Sequence, residues 1–117
     1  MAAETRYRPP EQAPTRGEID QLPGPVLLEF GTDTCGFCRA LAPRVGALLE
    51  QHPEVRHIKV EDGPGLPLGR SFQVRLWPNL VFLRDGTLVR QLARPGYDQL
   101  QQAFLELLGD GAAEKAR

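Results

Sequence analysis

Cys35 and Cys38 are the only two cysteines of the 117-residue chain, and they stand at the start of a helical pattern. An apolar run from Val26 to Phe30 precedes them, and Arg39 to Gln51 continues with helical periodicity. The first turn of a helix has unpaired backbone N–H groups and the positive end of the helix dipole, so it stabilises a thiolate. Because the thiolate is the reactive form of cysteine, the arrangement predicts thiol–disulfide exchange.

The spacing predicts different roles for the two sulfurs. Cys38 lies in phase with Leu41 and Val45, so it continues the buried stripe of the helix. Cys35 lies at the end of the helix, where a second protein can reach it. We therefore expect Cys35 to attack a partner's disulfide and form a mixed disulfide, and Cys38 to resolve that bond and release the partner.

Glu29 is an acidic residue inside the otherwise apolar strand. Burial disfavours the ionised form of a carboxyl group, so we expect a carboxyl that exchanges protons near neutral pH. Such a group is suited to take the proton of Cys38, directly or through a water.

A zinc site is the competing interpretation of the same cysteines. Their spacing to His52 and His57 satisfies that of a two-Cys, two-His zinc finger. In that module both histidines lie on one helix, but Pro53 follows His52 directly and Val55 to Val60 has a strand pattern. We therefore expect no metal here.

The later elements are indicated by local signals. Pro43 predicts a kink within the cysteine-bearing helix rather than its end, since the apolar stripe continues beyond it. Asp85-Gly86 predicts a two-residue β-hairpin. The last helix is expected from about Tyr97 to Leu108, with Gly109 as its stop.

Two blocks of the chain resemble the thioredoxin family. Val26 to Pro43 is similar to its active-site segment: an apolar strand, a buried acid, Cys-Gly-x-Cys, a basic residue and a proline within the helix. Phe72 to Gly86 is similar to its cis-proline loop and hairpin. The resemblance covers roughly residues 15 to 108. It implies an α/β protein with the thioredoxin fold, a central mixed β-sheet of four or five strands flanked by helices (βαβ plus ββα).

We expect one domain, residues 15–109, between a mobile N-terminal segment, residues 1–14, and a polar C-terminal tail, residues 110–117. Lys plus Arg is 14 and Asp plus Glu is 15, a net charge of -1, which gives no reason to expect nucleic acid or a membrane as partner. The N-terminus lacks the apolar stretch of a secretory signal, and a catalytic cysteine pair is typical of a reducing compartment. We expect a cytoplasmic monomer.

The resemblance also implies a substrate-binding edge. It implies a cis bond at Pro78, with Trp77 and Pro78 beside the cysteines, where an extended substrate segment can pair with exposed backbone. Gly36 and Phe37, between the cysteines, belong to the same surface. Trp77 departs from the family, which usually carries a smaller residue before this proline.

Strand residues near the buried acid are harder to place. Glu29 stands where thioredoxins have an aspartate, and His57 aligns with a lysine that they place near it. Two alternatives stay open for His57: contact with Glu29, or a position on the surface. Lys59 and Glu61 are expected to face solvent.

The function implied is that of a protein thiol–disulfide oxidoreductase. Its substrates are protein disulfides, and a reductase or another dithiol recycles it. No metal or organic cofactor is expected, because electrons pass through the redox-active Cys35–Cys38 disulfide. Phe37 replaces the family's proline, and Gly31 and Thr34 replace tryptophans. These departures leave a second class open: a binding or assembly module with one dedicated partner and little general reductase activity.

Overall fold

The computed structural model describes residues 3–116, with the side chains of residues 3–109. Helices and strands alternate along most of the chain, after a short 3-10 helix at Pro10–Gln12. In order the elements are α1 (Arg16–Asp20), β1 (Pro25–Gly31), α2 (Gly36–Gln51), β2 (Arg56–Glu61), α3 (Pro67–Ser71), β3 (Asn79–Arg84), β4 (Thr87–Ala93) and α4 (Tyr97–Ala116). None of the helices in this described part is long and apolar enough to cross a membrane.

The four strands form one mixed sheet in the order β2-β1-β3-β4. Strand β1 is parallel to β2 and antiparallel to β3, and β4 closes the hairpin with β3. This confirms the predicted α/β fold with a central mixed sheet. Strand β1 is therefore buried between two neighbours, and its carboxyl end leads directly to the cysteines.

The alternation of side chains along β1 divides the core between the two faces of the sheet. Val26, Leu28 and Phe30 face the cluster that includes Ile19 of α1 and Leu68 of α3. On the opposite face, Leu27 packs with the apolar stripes of α2 and α4, which include Val45, Leu48, Leu100 and Phe104. Glu29 lies on this second face, the one covered by the cysteine-bearing helix.

Helix α2 continues through Pro43 to Gln51, as the apolar stripe predicted. Buried Leu48 and Leu49 lie beyond the proline, and their packing holds the helix together past the missing backbone hydrogen bond.

The N-terminal segment that we expected to be mobile is packed against the sheet from residue 3 onwards; Met1 and Ala2 lie outside the described residues. Tyr7 is 6% exposed. The backbone of Arg8 pairs with β2, donating to the Lys59 carbonyl at 2.8 Å and accepting from Glu61 at 2.9 Å. Pro9 has no N–H with which to extend the ladder. The pairing stops at one bridge, too short to leave a strand pattern in the sequence.

Helix α4 does not stop at Gly109 but continues to Ala116, so the predicted C-terminal tail is helical over residues 110–116. Glycine inside a helix costs only about 1 kcal/mol relative to alanine. The residues that follow Gly111 are strong helix formers, Ala112, Ala113, Glu114, Lys115 and Ala116, and they offset that cost.

The predicted hairpin is confirmed, and Gly86 is the residue that it most depends on. Asp85 and Gly86 have φ values of 52° and 80°, the left-handed region that a type I′ turn requires. A β-carbon on Gly86 would also collide with the backbone carbonyl oxygen of Asp20.

We therefore expect Gly86→Ala to lower the free energy of unfolding by about 2 kcal/mol, measured by urea denaturation. Gly46→Ala is the matched control: Gly46 lies inside α2 and a β-carbon there meets no atom within 4 Å. Its expected effect is a gain of about 0.5–1 kcal/mol, from helix propensity. Two changes of the same sign would contradict this account of the turn.

Candidate active site

Cys35 is the N-cap of α2, and its sulfur accepts a hydrogen bond from the backbone N–H of Cys38 at 3.2 Å. This is where the first turn of a helix stabilises negative charge. Cys35 is half-buried and Cys38 is 1% exposed. The accessible sulfur is thus the one predicted to attack, and the buried sulfur is the one predicted to resolve.

Burial, followed by the hydrogen bond with Cys35, raises the pKa of the Cys38 thiol to about 11. Hydrogen bonds from the Thr32 backbone and the Tyr7 hydroxyl act in the opposite direction without cancelling the shift. Cys38 is therefore a protonated thiol at neutral pH, and it has to lose its proton before it can attack a disulfide.

Glu29 is 1% exposed, and each of its carboxylate oxygens has a partner. Oε1 is 2.9 Å from Nε2 of His57, and Oε2 accepts from the Tyr7 hydroxyl at 2.7 Å. Burial alone raises the pKa of this carboxyl, but the hydrogen bond with His57, the charge of Lys59 and the hydrogen bond from Tyr7 together lower it below its ordinary value. Our expectation of a carboxyl that exchanges protons near neutrality was wrong in direction, because burial was the only factor visible in the sequence. Glu29 is a carboxylate at neutral pH.

His57 takes the first of its two alternatives, contact with the buried acid. Its Nδ1 accepts a hydrogen bond from the backbone N–H of Glu4 at 3.0 Å, so the proton of the ring is on Nε2 and is donated to Glu29. The parallel register of β1 and β2 pairs Glu29 with Lys59, which places His57, two residues earlier, on the same face.

We had expected Lys59 to face solvent, but its side chain is buried. It is 5% exposed, and its ammonium lies 4.3 Å from the centre of the Tyr7 ring. The docked N-terminal segment covers this lysine, and the aromatic ring partly replaces the water that a buried ammonium loses. Because the segment was expected to be mobile, a cover over Lys59 could not be predicted from the sequence.

Gly31 makes room for the ring of Tyr7. A β-carbon at this position would lie 2.5 Å from the Cys38 sulfur and 2.6 Å from the Tyr7 hydroxyl oxygen. The thiol and the hydroxyl thus meet over the bare α-carbon of Gly31. Sequence reasoning missed Tyr7 as a site residue; the available signal was a lone aromatic in a polar, proline-rich segment.

The Trp77–Pro78 bond is cis, as predicted. The Trp77 indole N–H donates to Asp62 at 2.9 Å, and the Trp77 carbonyl accepts from the Arg94 side chain at 2.7 Å. Trp77 is therefore held in place at both its side chain and its backbone, and it is half-buried. Asp62 and Arg94, which hold it, were not indicated by the sequence.

Phe37, between the two cysteines, is 59% exposed. The Arg94 guanidinium lies 4.1 Å from the centre of its ring. Phe37, Arg94 and Pro78 line one side of a shallow groove of about 340 Å³ on this face of the protein. Gly36 begins α2 beside them and is exposed. The groove offers an apolar surface that includes Phe37, two residues after Cys35 in the chain.

The histidines are not arranged around the cysteines as a zinc finger requires. His57 binds Glu29, and the His52 ring stacks on Phe104 at 5.9 Å between centres. Among the described side chains, those of residues 3–109, no group of three or more His, Cys, Asp or Glu is placed to hold a metal ion.

Comparisons with known proteins agree on one family. The thioredoxin family model matches residues 13–106. Over 63 residues the chain is 38% identical to a thioredoxin of Aspergillus fumigatus, a match that covers 54% of this chain and 58% of that protein. It is 32% identical over 80 residues to the chloroplastic F-type thioredoxin of Brassica napus, which covers 68% of this chain and 44% of that protein. The chain thus spans about half the length of these relatives.

A solved structure is similar over almost the whole chain. The reduced form of thioredoxin 2 from Pseudomonas aeruginosa PAO1 superimposes with a TM-score of 0.79 at 54% sequence identity. The match covers 92% of this chain and 98% of that one.

The lowered pKa of Glu29 predicts how this residue contributes to stability as the pH changes. A group whose pKa is lower in the folded state adds stability above its unfolded pKa, and the gain is lost as the pH falls through the folded value. We therefore expect Glu29→Gln to be less stable than the wild type at neutral pH. The difference in the free energy of unfolding should narrow below a pH of about 4.3.

Urea denaturation across this pH range checks the prediction. Glu50→Gln changes an exposed residue on the same helix as the cysteines, and its free energy of unfolding should equal that of the wild type at every pH. If the difference in the free energy of unfolding between Glu29→Gln and wild type widens as the pH falls, burial rather than hydrogen bonding determines the pKa shift of Glu29.

Proposed function

The chain belongs to the thioredoxin family, and on that basis we propose that it is a protein thiol–disulfide oxidoreductase that works through Cys35 and Cys38. One observation carries the proposal. The two sulfurs share the first turn of α2, where one is accessible and the other is buried with a raised pKa. This asymmetry suits a two-step exchange, in which only the first sulfur meets the substrate.

In the first step, the Cys35 thiolate attacks a substrate disulfide, forms a mixed disulfide and releases one substrate thiolate. In the second step, the Cys38 sulfur attacks Cys35 and releases the other substrate thiolate. The cysteine pair is oxidised to a disulfide, and the substrate is reduced by the same two electrons. Glu29 is the buried base that receives the Cys38 proton.

A reductase or another dithiol then restores the dithiol pair, and the cycle needs neither a metal nor an organic cofactor. We place it in the cytoplasm, because a catalytic dithiol of this kind works in a reducing compartment. The protein acts as a monomer on protein disulfides.

The substrate lies along the groove beside Cys35, in contact with Gly36, Phe37 and the edge at Trp77 and Pro78. The Trp77 carbonyl accepts from Arg94 but has a second lone pair, which remains for a substrate N–H. Trp77 itself acts as a support held by Asp62, while Phe37 is the apolar contact that a substrate covers.

Insulin reduction by dithiothreitol tests the function, together with a redox titration of the pair in glutathione buffers. We expect the wild type to reduce insulin and both Cys35→Ser and Cys38→Ser to be inactive. Cys38→Ser should also accumulate a mixed disulfide through Cys35, detectable by mass. A pair that cycles with glutathione but turns over no protein disulfide would favour the dedicated binding module instead.

Phe37→Ala tests the substrate surface. Removing an aromatic side chain that the substrate covers should raise KM for insulin about fivefold, whereas kcat should change little because the cysteines keep their places. Leu105→Ala is the matched control, since Leu105 is 55% exposed on α4 and lies outside the groove. An equal rise in KM for both variants would show that the groove does not bind substrate.

A further inference from the structure

The Tyr7 hydroxyl lies between the buried carboxylate and the buried thiol. It donates to Glu29 at 2.7 Å, and on its other side it lies beside the Cys38 sulfur, since both atoms fall within 2.6 Å of the position that a β-carbon on Gly31 would take. The three groups therefore form a continuous chain, carboxylate–hydroxyl–thiol, in which Glu29 reaches Cys38 through Tyr7.

Three independent contacts hold Tyr7 in this place. Its backbone N–H donates to the Asp33 carboxylate at 3.1 Å, in the loop that leads to Cys35. Its ring is covered by the Lys59 ammonium, and the next residue, Arg8, pairs with β2. The hydroxyl thus has a fixed position, which proton transfer requires.

We propose that Tyr7 passes the proton of Cys38 to Glu29 when Cys38 resolves the mixed disulfide, a role that rests on the oxidoreductase function proposed above. As the Cys38 sulfur attacks Cys35, its S–H proton moves to the Tyr7 oxygen and the Tyr7 O–H proton moves to Oε2 of Glu29. The bond between Cys35 and the substrate sulfur breaks, the Cys35–Cys38 bond forms, and the substrate leaves as a thiolate.

The environment keeps Tyr7 neutral throughout this step. Burial and the adjacent Glu29 carboxylate raise the pKa of Tyr7, so in the proposed relay both protons move together and Tyr7 does not become a free phenolate. A cavity of about 320 Å³ borders Glu29, His57 and Lys59 and gives the proton a route from Glu29 to solvent. In solvent, the substrate thiolate that has left takes up a proton.

The charged and titratable groups that face this chain come from every element around it. They are Glu4 of the N-terminal segment, Glu29 on β1, Asp33 in the following loop, Cys35 and Arg39 at the start of α2, and His57 and Lys59 on β2. Tyr7→Phe removes the hydroxyl and leaves all of these groups and the ring in place.

The first experiment measures the titration of Cys38 in the Cys35→Ser background, from the ultraviolet absorbance of the thiolate. When Cys38 is ionised, the Tyr7 hydroxyl donates to the thiolate instead and lowers its pKa, so Tyr7→Phe should raise the pKa of Cys38 by roughly one unit. Tyr97→Phe is the matched control, because the only other tyrosine is exposed on α4 and its hydroxyl bonds Gln101. An unchanged titration in Tyr7→Phe would overturn the hydrogen-bonded chain.

The second experiment follows the full chain with its cysteines intact during reaction with dithiobis-nitrobenzoate. The first thionitrobenzoate is released when Cys35 attacks and the second when Cys38 resolves, so the two steps have separate rates. Tyr7→Phe should slow only the second step, roughly tenfold. The pH at which the rate of this step is half-maximal should also be higher. Because Tyr7 acts through Glu29, Tyr7→Phe should slow it much less in a Glu29→Gln background.

These outcomes separate the relay from the function on which it rests. If insulin is not reduced but the second step still depends on Tyr7, the relay stands and the substrate proposal fails. If insulin is reduced and the second step is the same in Tyr7→Phe as in wild type, the relay is wrong and the function stands. A thermal melt of Tyr7→Phe close to that of wild type shows that a slower step is not a loss of folded protein.

Discussion

An ionised carboxylate in the middle of the sheet is the constraint on which the rest of the structure depends. Removing such a charge from water without partners costs several kcal/mol, so a buried carboxylate persists only where hydrogen bonds and opposite charge replace its hydration. Glu29 receives them from His57 and Lys59 on β2 and from Tyr7 on the N-terminal segment. Three features of the fold bring these partners to Glu29. They are the parallel pairing of β1 and β2, the packing of the N-terminal segment, and the absence of a side chain at Gly31, which makes room for Tyr7.

The same burial creates the chemical difference between the two sulfurs. Cys35 and Cys38 are separated by a single helical turn, yet the inner one is covered by the sheet and its pKa is raised to about 11. Ionising that thiol at pH 7 costs about 5 kcal/mol. In the exchange that we propose, Cys38 therefore requires a base within reach, and we assign that role to the carboxylate that the fold keeps ionised, Glu29. Cys38 and Glu29 are both buried beneath α2, so the free-energy cost of ionising the thiol arises where the carboxylate is present.

The features that could be predicted from the sequence are those set by neighbouring residues. The positions of Cys35 and Cys38 follow from helical spacing, the hairpin from Asp85-Gly86, and the course of α2 past Pro43 from its apolar stripe. The features that were missed join distant residues. Tyr7 meets Glu29 across 22 positions and His57 meets it across 28, and neither pairing leaves a periodic pattern. The direction of the pKa shift of Glu29 was missed for the same reason, because burial is visible in a strand pattern and hydrogen-bond partners are not.

Gly31 and Tyr7 depend on each other, because the Tyr7 ring lies where a side chain at position 31 would be. Thioredoxins carry a tryptophan at the position of Gly31, a large ring supplied by the strand end itself. Here that position is empty of side chain, and a ring enters from the N-terminal segment to occupy the space beside the Cys38 sulfur. The tyrosine ring brings a hydroxyl with it, which a tryptophan lacks. The Tyr7 hydroxyl thus reaches the buried thiol because the N-terminal segment packs against β2, so the packing of residues 3–8 is part of the site.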